Sequence, residues 1–290
     1  MKQKNLILTI MHGYDYPFVE PFIKSLKNTG YTDDLVIFTS DNISKTTKKK
    51  LKQQGATLVE FGSAYPFIKG YAESFENINP AITINNYRFI LFLHFLKEIG
   101  THYKNVMLTD IRDVIFQKPP FEGLDEKLYM FLEDKSQTFK NSALNYNWLS
   151  DTAGKEYADS VLNEVVSCAG VVIGRTSLII PYLEYMKSKL TFKNKLGWGL
   201  DQGIHNSYAY QNRAPNISLV ANNVSMVLTL GACTTYNRNE EGLLTNAEGS
   251  IYPVIHQYDR IEELFFYFKK KYIGNRFTQK LKRLFYKLLP

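Results

Sequence analysis

The chain has 290 residues, with 44% hydrophobic and 22% charged, which excludes a disordered polymer and allows one large domain or two small ones, either with a substantial core. Only Cys168 and Cys233 are present, so a disulfide framework is excluded and a reducing compartment is expected. The net charge of +7 is localised: eight basic and no acidic residues fall between Leu264 and Pro290, leaving 27 basic against 28 acidic groups in the other 263 residues, a near-neutral body that does not suggest nucleic acid as its partner.

Residues 6–11 read as a buried strand, too short for a secretory signal core. Pro17 opens a helix with Phe18, Val19, Phe22, Ile23 and Leu26 at helical spacing and Gly30 as its stop. Residues 35–38 are a second strand. Ser44 caps a short lysine-rich helix ending near Gly55, and 57–61 make a third strand. Strand, helix, strand, helix, strand predicts an α/β fold with a parallel sheet and ligands at the C-terminal strand ends. His12-Gly13-Tyr14-Asp15 follows the first strand in place of a G-x-G-x-x-G fingerprint, which disfavours a dinucleotide enzyme.

Residues 62–80, rich in Gly, Pro, Tyr and Phe, are expected to form a loop over the site. A helix over 83–99 directs Tyr87, Ile90, Leu91, His94 and Phe95 to the core. Residues 128–132 form a short strand ending in Glu133-Asp134. The stretch 135–164 has weak periodicity and supports only a helix around 154–164. A strand rich in small residues runs over 165–174, where other groups can approach the backbone closely. Helices follow over 177–189 and from Trp198-Gly-Leu-Asp201-Gln202 through Tyr210, with late strands at 224–230 and 254–255. No repeat or interdomain linker is visible, and no window reaches the roughly 18 apolar residues of a membrane span.

The chemistry concentrates in 105–116. The apolar run Val106-Met107-Leu108 ends in Asp110 and Asp113 with Arg112 between them, and an apolar run resumes at Val114-Ile115-Phe116. In the bland reading one carboxylate caps the turn and the other pairs with Arg112. In the functional reading the two end the fourth strand of a parallel sheet and hold a hard cation such as Mn2+ or Mg2+, which favours carboxylates and leaves positions for phosphate oxygens. An aspartyl-phosphatase arrangement is disfavoured, because Arg112 stands where its second acid belongs. His256, directly after the last strand, is either structural or an imidazole ligand, and Arg260 offers a diphosphate clamp. Asp201 either caps its helix or handles a sugar hydroxyl beneath Trp198.

The order of these pieces resembles a nucleotide-sugar glycosyltransferase of the GT-A fold. The opening βαβαβ unit is similar to the nucleotide-binding half of that family. Thr109-Asp-Ile-Arg-Asp-Val-Ile-Phe-Gln117 is similar to its acidic strand-end motif D-x-D, and Ser167-Cys-Ala-Gly170 to its donor-sugar strand. Asp201-Gln202 and His256 fall in the expected order, and the likeness spans about residues 5–260. One departure stands out: a strict D-x-D needs an acid at 111 or 112, where Ile111 and Arg112 stand.

The resemblance implies a Rossmann-type, mostly parallel sheet flanked by helices, with a nucleotide-binding half at about 1–117 and an acceptor half at about 118–260. It implies Mn2+ or Mg2+ held by Asp113 and His256, with Asp110 bound to the metal through water or to the ribose. Arg88, Asp110, Arg112, Ala169, Gly170 and Arg260 are the implied contacts of a nucleotide-sugar donor, a UDP-sugar. Asp201 and Gln202 are the implied catalytic pair, with Asp201 as base if the reaction inverts and no evident nucleophile if it retains. The acceptor would be a glycan or glycolipid. The rival classes are a non-catalytic glycan- or nucleotide-binding protein and a nucleotidyltransferase, although the latter wants a Gly-rich phosphate loop that His12-Gly13 replaces poorly.

In the tail, 261–290, apolar residues from Ile261 to Leu288 recur at three- and four-residue spacing with a break at Gly274-Asn275. This predicts two basic amphipathic helices, which either lie on an anionic membrane surface at its cytoplasmic face or dock their apolar stripe on the body.

Overall fold

The computed structural model describes residues 3–62, 83–99, 102–191, 198–212, 214–224, 226–233 and 235–274. The loop expected over 62–80 lies, beyond Gly62, outside the described residues, and so does the tail from 275 to 290. In chain order the strands are β1 (Lys4–Met11), β2 (Asp34–Ser40), β3 (Thr57–Phe61), β4 (Tyr103–Thr109), β5 (Val114–Phe116) and β6 (Leu128–Leu132). They continue as β7 (Ser167–Arg175), β8 (Ile217–Val220), β9 (Val227–Thr229), β10 (Asn237–Arg238), β11 (Leu244–Thr245) and β12 (Val254–His256). The helices are α1 (Tyr16–Asn28), α2 (Lys45–Gln53), α3 (Ile84–Ile99), α4 (Ala143–Ala153), α5 (Lys155–Ser160), α6 (Thr176–Thr191), α7 (Leu200–Gln211) and α8 (Glu262–Ile273).

Seven strands form the central sheet in the order β3-β2-β1-β4-β7-β6-β8, and β7 alone runs against the others. The molecule is therefore an α/β protein with a mostly parallel sheet between helices. Side chains alternate strictly across it. Leu6, Leu8, Val106, Leu108 and Val172 face α3, α6 and α7, whereas Ile7, Met107, Val171 and Ile173 face α1 and the small sheet. Both faces are covered, which is why these strands read as unbroken apolar runs. The small sheet, β5-β12-β9, packs Ile115, Leu228 and Ile255 under Leu264, Phe265 and Phe268 of α8.

Several sequence expectations shift. Ser44 does cap α2, accepting from the Thr47 amide at 3.2 Å. Helix α3 is buried all round, Phe89, Phe92, Leu93 and Leu96 included, because it lies between the sheet and α6; His94 is only partly buried and meets Lys187 Nζ at 3.2 Å. Within 135–164 there are two helices, α4 and α5. Only Leu149 and Thr152 of α4 are buried, too little apolar surface to leave a periodic signal. The strand expected over 224–230 is confined to β9.

Helix α8 decides between the two readings for the tail's first half in favour of docking on the body. Leu264, Phe265, Phe268, Tyr272 and Ile273 are buried against the body, so this stripe is not open to a bilayer. Its polar face is not wholly solvated either. Lys269 is 1% exposed and donates to the Phe18 carbonyl of α1 at 3.0 Å. Among the described residues no helix is long and apolar enough to cross a membrane.

Burial, opposed in part by Asp259, pushes Lys269 down to about 7, against roughly 10.4 for an unfolded lysine. Between those values the unfolded chain binds the extra proton, so stability rises with pH. In chemical denaturation from about pH 7.5 to about pH 9.5, the wild type is expected to gain about 1 kcal/mol per pH unit relative to Lys269→Met. Parallel profiles would show that Lys269 does not titrate in this window.

Candidate functional site

Strand order reverses between β1 and β4, because β2 lies to one side of β1 and β4 to the other. The segments leaving these two strands diverge there, and a crevice opens at their C-terminal ends. Asp110 stands immediately beyond β4 and its amide donates to the Gly170 carbonyl at 2.9 Å, continuing the β4–β7 ladder by one rung. The chain then turns into β5, whose Val114 pairs with His256 of β12. That register sets Asp113 beside His256. Ligand-type atoms of Asp110, Asp113 and His256 all lie within 4.8 Å of one another.

The glycine in β7 makes this approach possible. A Cβ on Gly170 would fall inside the His256 imidazole and 2.8 Å from Asp110 Oδ2. Gly170 thus leaves room for the cluster.

Arg88 of α3 is buried between two acids. It pairs with Asp110 Oδ1, meets Asp201 Oδ2 at 3.3 Å, and approaches the Ala169 carbonyl at 3.4 Å. Asp201 occupies the first turn of α7, where Gly199 takes a left-handed φ of 83° directly against Trp148. Gln202 uses its amide as a backbone surrogate. Its Oε1 accepts from Ala169 N at 2.9 Å and its Nε2 donates to the Ser167 carbonyl at 2.8 Å. Asn206, one turn on, pairs with Ser167 N at 2.8 Å and with its carbonyl at 2.9 Å. Helix α7 is thereby fastened to β7, and the amide of Gln202 serves positioning. Arg112 pairs with Asp259 at 3.0 Å and lies 3.8 Å from Asp113. Arg260 is more open, its Nε 3.9 Å from Asp259 Oδ1.

The carboxylates titrate apart. Burial would raise Asp110, but Arg88 and His256 hold it well below the usual range. Burial and the neighbouring Asp259 push Asp113 up to about 6. Burial would lower His256; Cys168, with its Sγ 3.8 Å from Nδ1, together with Asp110 and Asp113, raises it well above its ordinary value instead. His256 Nε2 lies 3.5 Å from Asp110 Oδ2, too long for a firm hydrogen bond, and has no other partner among the described residues. Two carboxylates and an under-used imidazole nitrogen within coordination reach suit a divalent cation.

Two cavities meet at this cluster. One, of about 540 Å3, runs past His12, Tyr14, Arg112 and Asp113; the other, of about 300 Å3, past Glu133, Asn145, Trp148, Asp201 and Gln202. Arg88, Asp110, Trp198 and Arg260 border both, and Ala169, Gly170 and His256 line the second. Every residue singled out from the sequence therefore reaches this crevice. Sequence reasoning missed Glu133, Asn145, Trp148 and Gln257. Glu133 carries the same signal as Asp110, an acid directly after an apolar strand of the same direction. Gln257 is the one non-glycine with positive φ among the described residues, at 59°, where backbone strain marks a constrained site.

No protein-family model matches the chain, and comparison with curated proteins finds no match.

Two expectations follow. Gly170→Ala should weaken Mn2+ binding by about tenfold or more with the circular dichroism spectrum unchanged; equal affinity would show that Gly170 does not set the cluster. Metal ligation also needs Asp113 and His256 deprotonated. Mn2+ affinity, read from the free-ion EPR signal, should therefore rise with pH through about 6 as Asp113 loses its proton, and continue to rise above the ordinary histidine range as His256 loses its own.

Proposed function

We propose that this protein is a metal-dependent glycosyltransferase of the GT-A type, moving a sugar from a nucleotide-diphosphate donor, a UDP-sugar, to a glycan or glycolipid acceptor. The observation that carries the reading is the Asp110–Asp113–His256 cluster, set at the strand-order reversal and open to a cavity on each side. A diphosphate bridging the two cavities would lie on the cluster, with its nucleoside towards Tyr14 and its sugar towards Trp198.

Mn2+ or Mg2+ held by Asp110, Asp113 and His256 would offset charge on the departing diphosphate. Arg260, at the border of both cavities and only loosely paired, adds a second positive group there. Arg88 orients Asp110 and Asp201 together, so the metal side and the sugar side share one rigid link. Asp201 accepts a hydrogen bond from a sugar hydroxyl. Trp198, 67% exposed and edge-on to Trp148 at 4.9 Å, offers an apolar face to a sugar ring. The basic residues of 275–290 would hold the protein at the anionic cytoplasmic face of a membrane.

Purified protein with Mn2+ and a panel of sugar nucleotides is expected to release nucleoside diphosphate slowly from one donor. Asp113→Asn should lower that rate by about a hundredfold or more. No release from any donor, with nucleotide affinity unchanged in Asp113→Asn, would overturn the proposal.

A further inference from the structure

Glu133 follows β6, which runs parallel to β4, so its carboxylate emerges at the same end of the sheet as Asp110. The Glu133 amide is fixed to the Val166 carbonyl at 2.8 Å. The side chain borders the 300 Å3 cavity that holds Asp110, Asp201 and Trp198. It also borders a further cavity of about 270 Å3, lined by Lys135, Asn222, Asn223, Thr235 and Tyr252. Its carboxylate has no hydrogen-bond or ion-pair partner among the described residues. Asp201, the other acid on the sugar side, is raised by burial against the pull of Arg88, but its carboxylate is engaged by that guanidinium at 3.3 Å, whereas the Glu133 carboxylate is not engaged.

We propose that Glu133 is the general base of the transfer and that the 270 Å3 cavity receives the acceptor. The inference rests on the glycosyltransferase reading above and names the residue that activates the nucleophile. The acceptor hydroxyl gives its proton to the Glu133 carboxylate while its oxygen bonds to the anomeric carbon. The anomeric C–O bond to the diphosphate breaks, and its electron pair leaves with the nucleoside diphosphate. This is a single displacement, so the anomeric configuration inverts. Burial, opposed by His256, pushes Glu133 up to about 7, a basicity suited to taking a proton near neutral pH. Lys135, Asn222, Asn223 and Thr235 beside Tyr252 give the acceptor cavity the mix of polar groups and ring surface that polyhydroxylated molecules bind.

The test compares wild type, Glu133→Gln and Glu133→Ala on the donor that wild type hydrolyses, with and without sodium azide. Azide is already an anion and needs no base. Hydrolysis is expected to fall by about a hundredfold or more in both variants, with Mn2+ affinity unchanged. Azide should restore nucleoside diphosphate release in Glu133→Ala, and both wild type and variant should give the same inverted glycosyl azide by NMR. Undiminished hydrolysis in Glu133→Gln, or a loss that azide does not restore, would overturn the assignment while leaving the transferase reading intact. A glycosyl azide of retained configuration from wild type would rule out a single displacement and overturn the role of Glu133 as base. No release by wild type from any donor would overturn the transferase reading, and this inference with it.

Discussion

The site depends on a missing methyl group. Three chain segments far apart in sequence converge where Gly170 lies: the turn after β4, the end of β12, and the guanidinium of Arg88 from α3. The ladder bond from the Asp110 amide to the Gly170 carbonyl holds the first segment at a fixed height above the sheet. The β5–β12 pairing holds the second. With any side chain on residue 170 those two constraints would be incompatible, and either the register of β12 or the turn would have to yield. The sheet therefore sets the positions of the acids, and the glycine decides whether the imidazole can join them.

That convergence poses an electrostatic problem. Asp110, Asp113, Asp201 and Asp259 crowd one region, matched by Arg88, Arg112 and His256. Arg88 serves Asp110 and Asp201, and Arg112 serves Asp259 at close range and Asp113 at longer range. Asp113 is left the least compensated, which is why burial raises it while Asp110 is held low. The neighbouring Cys168, Asp110 and Asp113 favour the charged form of His256 there. A divalent cation bound at the cluster would replace the imidazole proton and satisfy Asp113 as well, so its binding would be linked to deprotonation.

The sequence carried this constellation unevenly. Asp110, Asp113 and His256 drew notice because they stand at the ends of apolar runs where an α/β sheet presents its ligands, although each also had an ordinary structural explanation. Gly170 was legible as part of a small-residue strand, though what it makes room for was not. The βαβαβ unit was legible from strictly apolar strands with helical spacing between them. Arg88 entered only through the family resemblance, because nothing in the local pattern reveals that the middle of α3 is buried. The docking of α8 stayed undecided for a related reason: an apolar stripe with lysines looks the same whether it meets lipid or protein, and the burial of that stripe and of Lys269 distinguishes them. Gln202 looked catalytic, yet its amide is spent on the β7 backbone, a role that depends on the three-dimensional placement of α7.

What the crevice leaves unsatisfied says most about its ligand. Asn145 Oδ1, Gln257 Oε1 and His12 Nδ1 are buried without a protein partner among the described residues, and each lies on a residue that lines one of the two cavities. A buried polar group left unmatched costs about 1–3 kcal/mol. Gln257 bears this on a backbone already in a left-handed conformation, so two costs fall at one residue. A ligand of purely apolar surface would leave these costs in place and be rejected. One bearing hydroxyl and amide donors would relieve them, and discrimination by such relief is far steeper than discrimination by size. Under the proposed function, a cation at the cluster would select for phosphate, the unmatched groups for polar hydrogens around it, and the exposed indole for a ring face. A sugar joined to a nucleotide through a diphosphate answers all three.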